Sequence, residues 1–418
     1  MSGDKEFKDL PEGWKWVRLG EVIEEVKEKN KHNKNLPILT SSRKGIYLQD
    51  EYFNRIVASK DISNYKMIKK GEFTYRSMSD DETFVFNRLE DVPVGLVSPA
   101  YFVFQVKEGY SGDYLKYLLN NSVEIKRQIY KEIKGTTRVA LKFNQLTNFI
   151  VTLPPLPEQQ KIAEILETID NAIEKTDKIT EKYKRIKQGL MQDLLTKGID
   201  ENGNIRSEKT HKFKGSPLGR IPEEWEVVRL GEVIEYEQPQ KYIVSTENYE
   251  DKSGTPVLTA GKTFILGYTS DNFGIYDALP VILFDDFTTD SRFVNFPFKI
   301  KSSATKLLKA KDKNINLFYV FNTMQMIRVK PGSEHKRFWI SEYSKLYIPL
   351  PPLPEQQRIA EILTQIDQTI EKEEQYKEKL QKIKQGLMQD LLTGKVRVNH
   401  LVEEKENEQR YTSNFTRT

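Results

Sequence analysis

Apolar residues return at alternating spacings of three and four in two runs along the chain. The first run is Ile162, Ile165, Ile169, Ala172, Thr176, Ile179, Tyr183, Ile186 and Leu190. The second is Ile359, Ile362, Ile366, Thr369, Glu373, Tyr376, Leu380, Ile383 and Leu387. Sustained over about four heptads, this alternation keeps one narrow stripe on one side of a helix, which makes it a coiled-coil seam. Pro154, Pro155 and Pro157 precede the first run, where a helix tolerates them only before or within its first turn. Glu158 follows, where the helix dipole favours an acid. The pattern predicts helices of about 39 residues, roughly 58 Å long at 1.5 Å per residue. Such a helix cannot bury its stripe alone, and the obvious partner of each is the other.

The two runs are copies. Residues 153–196 align without a gap on 350–393 and are identical at 31 of 44 positions, so that PPLPEQQKIAEIL at 154 returns as PPLPEQQRIAEIL at 351. Upstream, LPEGWKWVRLGEVIEE (10–25) matches IPEEWEVVRLGEVIEY (221–236) at 11 of 16 positions. The intervening stretches, 26–152 and 237–349, share no similarity. The chain is therefore one module written twice: a leading segment, a variable stretch and a long helix. Two copies are too few for a solenoid. They suggest a pseudo-twofold object, the single-chain version of a symmetric dimer, with the helices paired antiparallel. Two separate bundles are the plainer alternative. Gly189 and Gly386, at matching places, each weaken a helix interior by about 1 kcal/mol relative to Ala, and mark either a close crossing or a fraying end. The PxxP within PPLP could also be an SH3 ligand, but a helix start explains its prolines better.

The variable stretches have mixed patterns. FTYRSM (73–78), ETFVFNRL (82–89) and SPAYFVFQV (98–106) read as strands, and SGDYLKYLLNNSVEIKRQIYKEI (111–133) as helix. In the second, PVILFDDF (280–287), RFVNFPFKI (292–300) and TKLLKA (305–310) read as strands, and INLFYVFNTMQMI (315–327) as helix. The predicted fold class is α+β: two globular α/β domains separated by two long helices in an antiparallel coiled coil, with a pseudo-twofold repeat. The predicted division is a first domain at 1–152, a helix at 153–196, a polar linker at 197–220, a second domain at 221–349, a helix at 350–396 and a charged tail at 397–418.

Composition narrows the function. With 38% apolar and 30% charged residues in 418, the chain reads as a soluble globular protein. No apolar run approaches the roughly 18 residues that cross a bilayer, and the start, MSGDKEFKDLPEG, lacks a signal-peptide pattern. Cysteine is absent, which removes disulfides and thiolate sites and suits a reducing cytosol, so a cytoplasmic location is expected. The four histidines, His32, His211, His335 and His400, show no zinc spacing, and no metal site is expected.

The net charge of +4 says little until it is divided. Residues 26–152 hold 21 Lys/Arg against 14 Asp/Glu, and 237–349 hold 15 against 12, whereas the helical segments are slightly acidic. Positive charge thus sits on the domains, as expected if they grip a polyanion. Candidate DNA contacts in the first domain are Ser41, Ser42, Arg43, Lys44, Tyr47, Arg76, Gly135, Thr136, Thr137, Arg138 and Lys142. In the second they are Lys262, Thr263, Tyr268, Thr288, Thr289, Asp290, Ser291, Arg292, Ser302, Ser303, Lys306, His335, Lys336 and Arg337. Arg reads guanine bidentately, and Ser and Thr reach bases or phosphates.

These pieces resemble the specificity (S) subunit of type I restriction–modification systems. The resemblance rests on the duplicated LPEQQ-x-IAEIL helices and the P-E-x-W-x-x-V-R-L-G-E-V segments. It also rests on GTTRVALKFNQLTNFIVTLPPLPEQQ (135–160), LFDDFTTDSRFVNFPFKIKSSATKLL (283–308) and RFWISEYSKLYIPLPPLPEQQ (337–357). It implies a non-catalytic subunit whose two target-recognition domains, 26–152 and 237–349, each read half of a bipartite DNA site. It also implies a helical spacer that sets the gap and docks two methyltransferase (M) subunits, which restriction (R) subunits join. No cofactor is expected on this chain; S-adenosylmethionine, ATP and Mg are expected on the partners.

The residues agree with a non-catalytic role. GKT at 261–263 has Pro256 where a P-loop needs its first glycine, and no NPPY-type methyltransferase motif occurs. Asp285 and Asp286 could be drafted as nuclease metal ligands, but no further acids stand at suitable spacing, and they read as turn or strand-edge acids. The alternatives are a coiled-coil adaptor between proteins and a cryptic nuclease or methyltransferase.

Overall fold

The computed structural model describes residues 10–53, 59, 61–133, 139–245, 249, 253–261, 263–327 and 337–402. The chain divides into two compact units, residues 1–176 with 376–418, and residues 177–375. Each long helix contributes its first half to one unit and its second half to the other.

In the first unit, β1 (Ile23–Glu25), β2 (Phe73–Arg76), β3 (Asn87–Arg88) and β4 (Tyr101–Val106) form an antiparallel sheet in the order β1-β4-β2-β3. Phe73 stands opposite Phe104, their rings 5.2 Å apart and stacked. Helices α1 (Gly112–Asn121) and α2 (Val123–Ile133) bury Tyr114, Leu115, Leu118, Ile125 and Ile129 in the same core. The sequence reads 111–133 as one helix, but it breaks at Ser122, whose extended backbone ends α1 and whose hydroxyl accepts from the Ile125 amide at 3.3 Å. The run 82–89, read as a strand, pairs only at Asn87–Arg88; Phe84 and Phe86 enter the core from irregular backbone. Lys15–Arg18 pairs antiparallel with Ile150–Leu153, and the chain then enters α3 (Leu156–Leu194).

The second unit repeats this plan in unlike sequence. β5 (Ile234–Glu237), β6 (Val281–Asp285), β7 (Ser291–Val294) and β8 (Thr305–Ala310) lie in the order β5-β8-β6-β7. Helix α4 (Leu317–Met326) buries Leu317, Tyr319, Val320 and Met324. Glu226–Arg229 pairs with Tyr347–Leu350, and α5 (Leu353–Leu392) follows. The run 292–300 supplies β7 and a separate short strand, Lys299–Ile300, because Pro297 has no amide to continue a ladder.

The repeated motif makes the same bonds twice. Gln159 Oε1 accepts from the Ser111 amide at 3.0 Å, and its Nε2 donates to the Pro154 carbonyl at 2.9 Å. Gln356 Oε1 accepts from the Asn316 amide at 2.8 Å, and its Nε2 donates to the Pro351 carbonyl at 2.8 Å. Ser111 and Asn316 cap the N-termini of α1 and α4. Each glutamine therefore ties the start of a long helix to the first turn of a domain helix.

The long helices pack antiparallel. In the first unit, Asp170 on α3 pairs with Lys384 on α5. Asp170 also accepts from the Tyr117 hydroxyl at 2.8 Å. Burial, and then this bond, raise the Tyr117 phenol above the usual tyrosine range. In the second unit, Lys187 and Lys184 pair with Asp367 and Glu374, at 2.6 and 2.9 Å. Within the seam, Ile162, Ile359 and Leu380 are buried. Ile165, Ile169, Ile179, Tyr183, Leu190, Ile362, Ile366 and Leu387 are half-buried. Ile186, Tyr376 and Ile383 are exposed. Burial is fullest near the helix ends, where a third layer covers them: Leu166, Leu391 and Leu392 join the first domain's core, and Leu194, Leu195 and Leu363 the second's. Gly189 and Gly386 are exposed within the helices, and a Cβ on either meets nothing within 4 Å. They mark neither a close crossing nor a frayed end.

Candidate nucleic-acid interface

In the first unit the connection from β2 to β3 gathers polar groups from three segments. Ser79 accepts the Thr83 amide on its hydroxyl at 3.0 Å, closing the turn. The segment after α2 lies beside it, with the Ser79 amide donating to the Val139 carbonyl at 3.0 Å and the Leu141 amide to the Ser77 carbonyl at 2.9 Å. The hairpin of Leu39–Ser42 and Gly45–Leu48 completes the edge. Asn87 Nδ2 donates to Ser41 Oγ and to the Ser42 carbonyl, both at 2.7 Å, and Arg43 pairs with Asp81 at 2.5 Å. Gly45, at φ +137°, supplies a left-handed turn that lets the Ser42 hydroxyl reach its carbonyl at 3.2 Å.

Arg43, Lys44, Arg76 and Lys142 are thus brought to one exposed edge. Arg76 lies 3.6 Å from Asp80, so the two arginines share the turn with two acids. Tyr47 is partly exposed, its hydroxyl donating to the Lys44 carbonyl at 3.3 Å. Ser41 and Ser42 are occupied within the hairpin. Gly135, Thr136, Thr137 and Arg138 lie outside the described residues, as do Lys262, His335 and Lys336.

The second unit builds a corresponding edge from the β6–β7 turn. Asp285 accepts the Phe287 and Thr288 amides at 2.9 and 2.8 Å, and Thr289 takes φ +64°. Thr288 and Asp290 are exposed, and Thr289 is half-buried. The Asp286 amide donates to the Ala304 carbonyl at 3.1 Å, and the Phe338 amide to the Asp286 carbonyl at 3.1 Å. These bonds bring Ser302, Ser303 and Arg337 to the same turn. Exposed Arg292 lies over the Phe264 ring at 6.0 Å and donates to the Gly261 carbonyl at 3.3 Å, which adds exposed Thr263 to the group. Ser291 accepts from Gln325 at 2.7 Å. Tyr268 is half-buried in the strand Ile265–Thr269.

Lys306 requires correction as a DNA contact. It is buried, lies 3.6 Å from buried Asp286 and donates to Gln238 at 2.9 Å, so its charge is neutralised inside the domain. Alternation along TKLLKA does not reveal this, because both faces of β8 are covered. Asp285 is a turn acid; Asp286 is a core acid that also accepts the Trp339 amide at 2.8 Å. Sequence reasoning missed Asn87, which fastens the hairpin, and the exposed apolar residues Met78 and Phe287 that flank the two turns. Among the described residues no group of three or more His, Asp or Glu could hold a metal ion, and no helix is long and apolar enough to cross a membrane.

Comparison with known proteins gives consistent matches. The family model described as the type I restriction modification DNA specificity domain matches residues 11–183 and again 222–382. The type I restriction enzyme EcoR124I/EcoR124II specificity subunit of Escherichia coli is 49% identical over 140 residues, a match spanning 32% of this chain and about a third (34%) of that protein. The type I restriction enzyme MjaVIII specificity subunit of Methanocaldococcus jannaschii is 28% identical over 453 residues, covering 95% of this chain and 97% of its own. The crystal structure of a type I restriction–modification S subunit from M. genitalium superposes with a TM-score of 0.60 at 13% identity, covering 93% of this chain and 97% of that one, a likeness of fold.

Proposed function

The chain belongs to the family of type I restriction modification DNA specificity domains, of which it carries two, and from that premise we propose that it reads a bipartite DNA site for a modification enzyme without itself catalysing a reaction. The edge around Arg43, Arg76 and Lys142 reads one half-site, and the edge around Thr288, Arg292 and Arg337 reads the other. Helices α3 and α5 space the two readings and carry the duplicated surface on which two methyltransferase subunits dock, restriction subunits joining that core. The chemistry, with S-adenosylmethionine, ATP and Mg, belongs to those partners, and the assembly works in the cytoplasm.

One observation supports this reading above the rest. Two domains of unlike sequence share one strand order, and each turns an edge of arginine and hydroxyl side chains outward from matching helix attachments. Shared scaffold with unlike edges is what two different half-sites require, since Arg, Ser and Thr on the edges carry the base contacts. The test uses the complex with its companion methyltransferase. R292A/R337A should relax one half-site and leave the other as strict as before. Relaxation of both halves, or of neither, contradicts the assignment.

A further inference from the structure

Each long helix begins with a buried glutamate in its first turn. In the first unit Glu158 accepts from Arg397 through both oxygens, at 2.7 and 2.9 Å, and receives the Val398 amide at 3.4 Å. In the second unit Glu355 receives both arms of Arg206, the Ile199 amide at 2.9 Å and Trp225 Nε1 at 3.0 Å. Arg397 and Val398 follow the end of α5, and Ile199 and Arg206 follow the end of α3. Each clasp therefore joins the start of one helix to the segment just past the end of the other.

The glutamates occupy matching places in the repeat, but the arginines do not: the position matching Arg397 is Asp200. The same contact is thus made twice with arginines that the duplication does not align. Backbone supports both clasps. Gly198, at φ +66°, lies where a Cβ would collide with Glu355 Oε1 and Trp225; Gly394, at φ +70°, lies where one would come within 2.7 Å of Pro11 and 3.1 Å of Trp14. Only glycine lets the chain turn so closely against these groups.

Between the clasps the seam buries few apolar side chains. Leu380, Thr176 and Thr180 are buried there, Ile186, Tyr376 and Ile383 are exposed, and the ion pairs of Lys184, Lys187 and Lys384 are partly open to solvent. A seam with so few buried apolar knobs permits slippage, and exposed pairs resist it weakly. A buried, bidentate pair does not tolerate loss of its partner.

We propose that Glu158 and Glu355 are positioning residues that hold the register of the two spacer helices and so fix the length of the unread gap between the half-sites. This rests on the two-half-site reading above. The experiment maps modified bases made by the complex of this chain with its companion methyltransferase, comparing wild type with E158Q/E355Q. R397K/R206K serves as a milder pair that keeps the charge and loses the fork. Both variants are checked for folding by circular dichroism, and the milder pair decides if the first does not fold. The expected result is unchanged half-sites, modification at the native gap lowered about tenfold, and new modification at gaps other than the native one. A single unchanged gap overturns the proposal, as does a folded variant with altered half-sites. A wild-type map without a two-part motif would instead sink the reading on which the proposal rests.

Discussion

Lys187 lies 2.6 Å from Asp367, and the residues 197 positions away from each in the repeat, Lys384 and Asp170, form the same pair in the other unit. The relationship follows from an antiparallel helix pair built from two copies of one sequence. Both pairs are partly exposed, so their strength should be modest. Double-mutant cycles through K187A and D367A should give a coupling of about 0.2–1 kcal/mol by denaturant unfolding. A coupling several times larger would place the pair in a drier setting than the structure gives it.

Neighbouring glutamines should behave differently. Gln159 and Gln356 are buried and bond both to a domain helix cap and to the carbonyl before their own helix; Gln160 and Gln357 are exposed. Q159A or Q356A should cost about 2–4 kcal/mol, because each strands a buried amide and a carbonyl. Q160A should stay within about 0.5 kcal/mol. Thermal and urea unfolding of the three single variants checks the contrast.

The helix glycines offer a gain. With nothing within 4 Å of a Cβ at Gly189 or Gly386, alanine should fit at no steric cost. G189A and G386A should each stabilise the chain by about 1 kcal/mol, read as a raised unfolding midpoint. A loss at either position would mean that the helix backbone is approached more closely than the structure indicates.

Lys306 and Arg337 lie near the same turn but have different roles. K306M leaves Asp286 charged and buried, and should cost about 3–5 kcal/mol of stability. R337A should leave stability within about 0.5 kcal/mol. In the complex it should weaken DNA binding and make the salt dependence shallower by about one in log–log slope. Unfolding curves and binding titrations at several salt concentrations separate the two effects.

Much of this architecture is legible in the sequence because it is written twice. The alignment of Asp170 with Asp367 and of Glu158 with Glu355 announces the helices, and their length follows from the prolines before and the apolar spacing within. The common strand order of the domains is not legible, because different residues fill equivalent layers: Phe73 and Tyr75 in β2, Ile282 and Phe284 in β6. Arg397 and Val398 fall in a segment that reads as a charged tail, yet both bind Glu158 and Val398 joins the first domain's core. Nothing local reveals that, since their partner lies more than 200 residues earlier. On the interface, exposed Arg43, Arg76, Arg292 and Arg337 stand out as basic residues in polar loops. Lys306 looks the same in sequence, and only the cover over both faces of β8 separates it from them.

Under the function proposed above, this chain gives a modification enzyme a two-part address. The most direct measurement maps modified bases in cells carrying the companion methyltransferase with and without this chain. The expected result is a motif of two half-sites separated by a fixed gap, present only with the chain. One heptad added to both α3 and α5 should lengthen the gap and leave the half-sites unchanged. A modified motif that is continuous, or the same with and without the chain, would contradict that function.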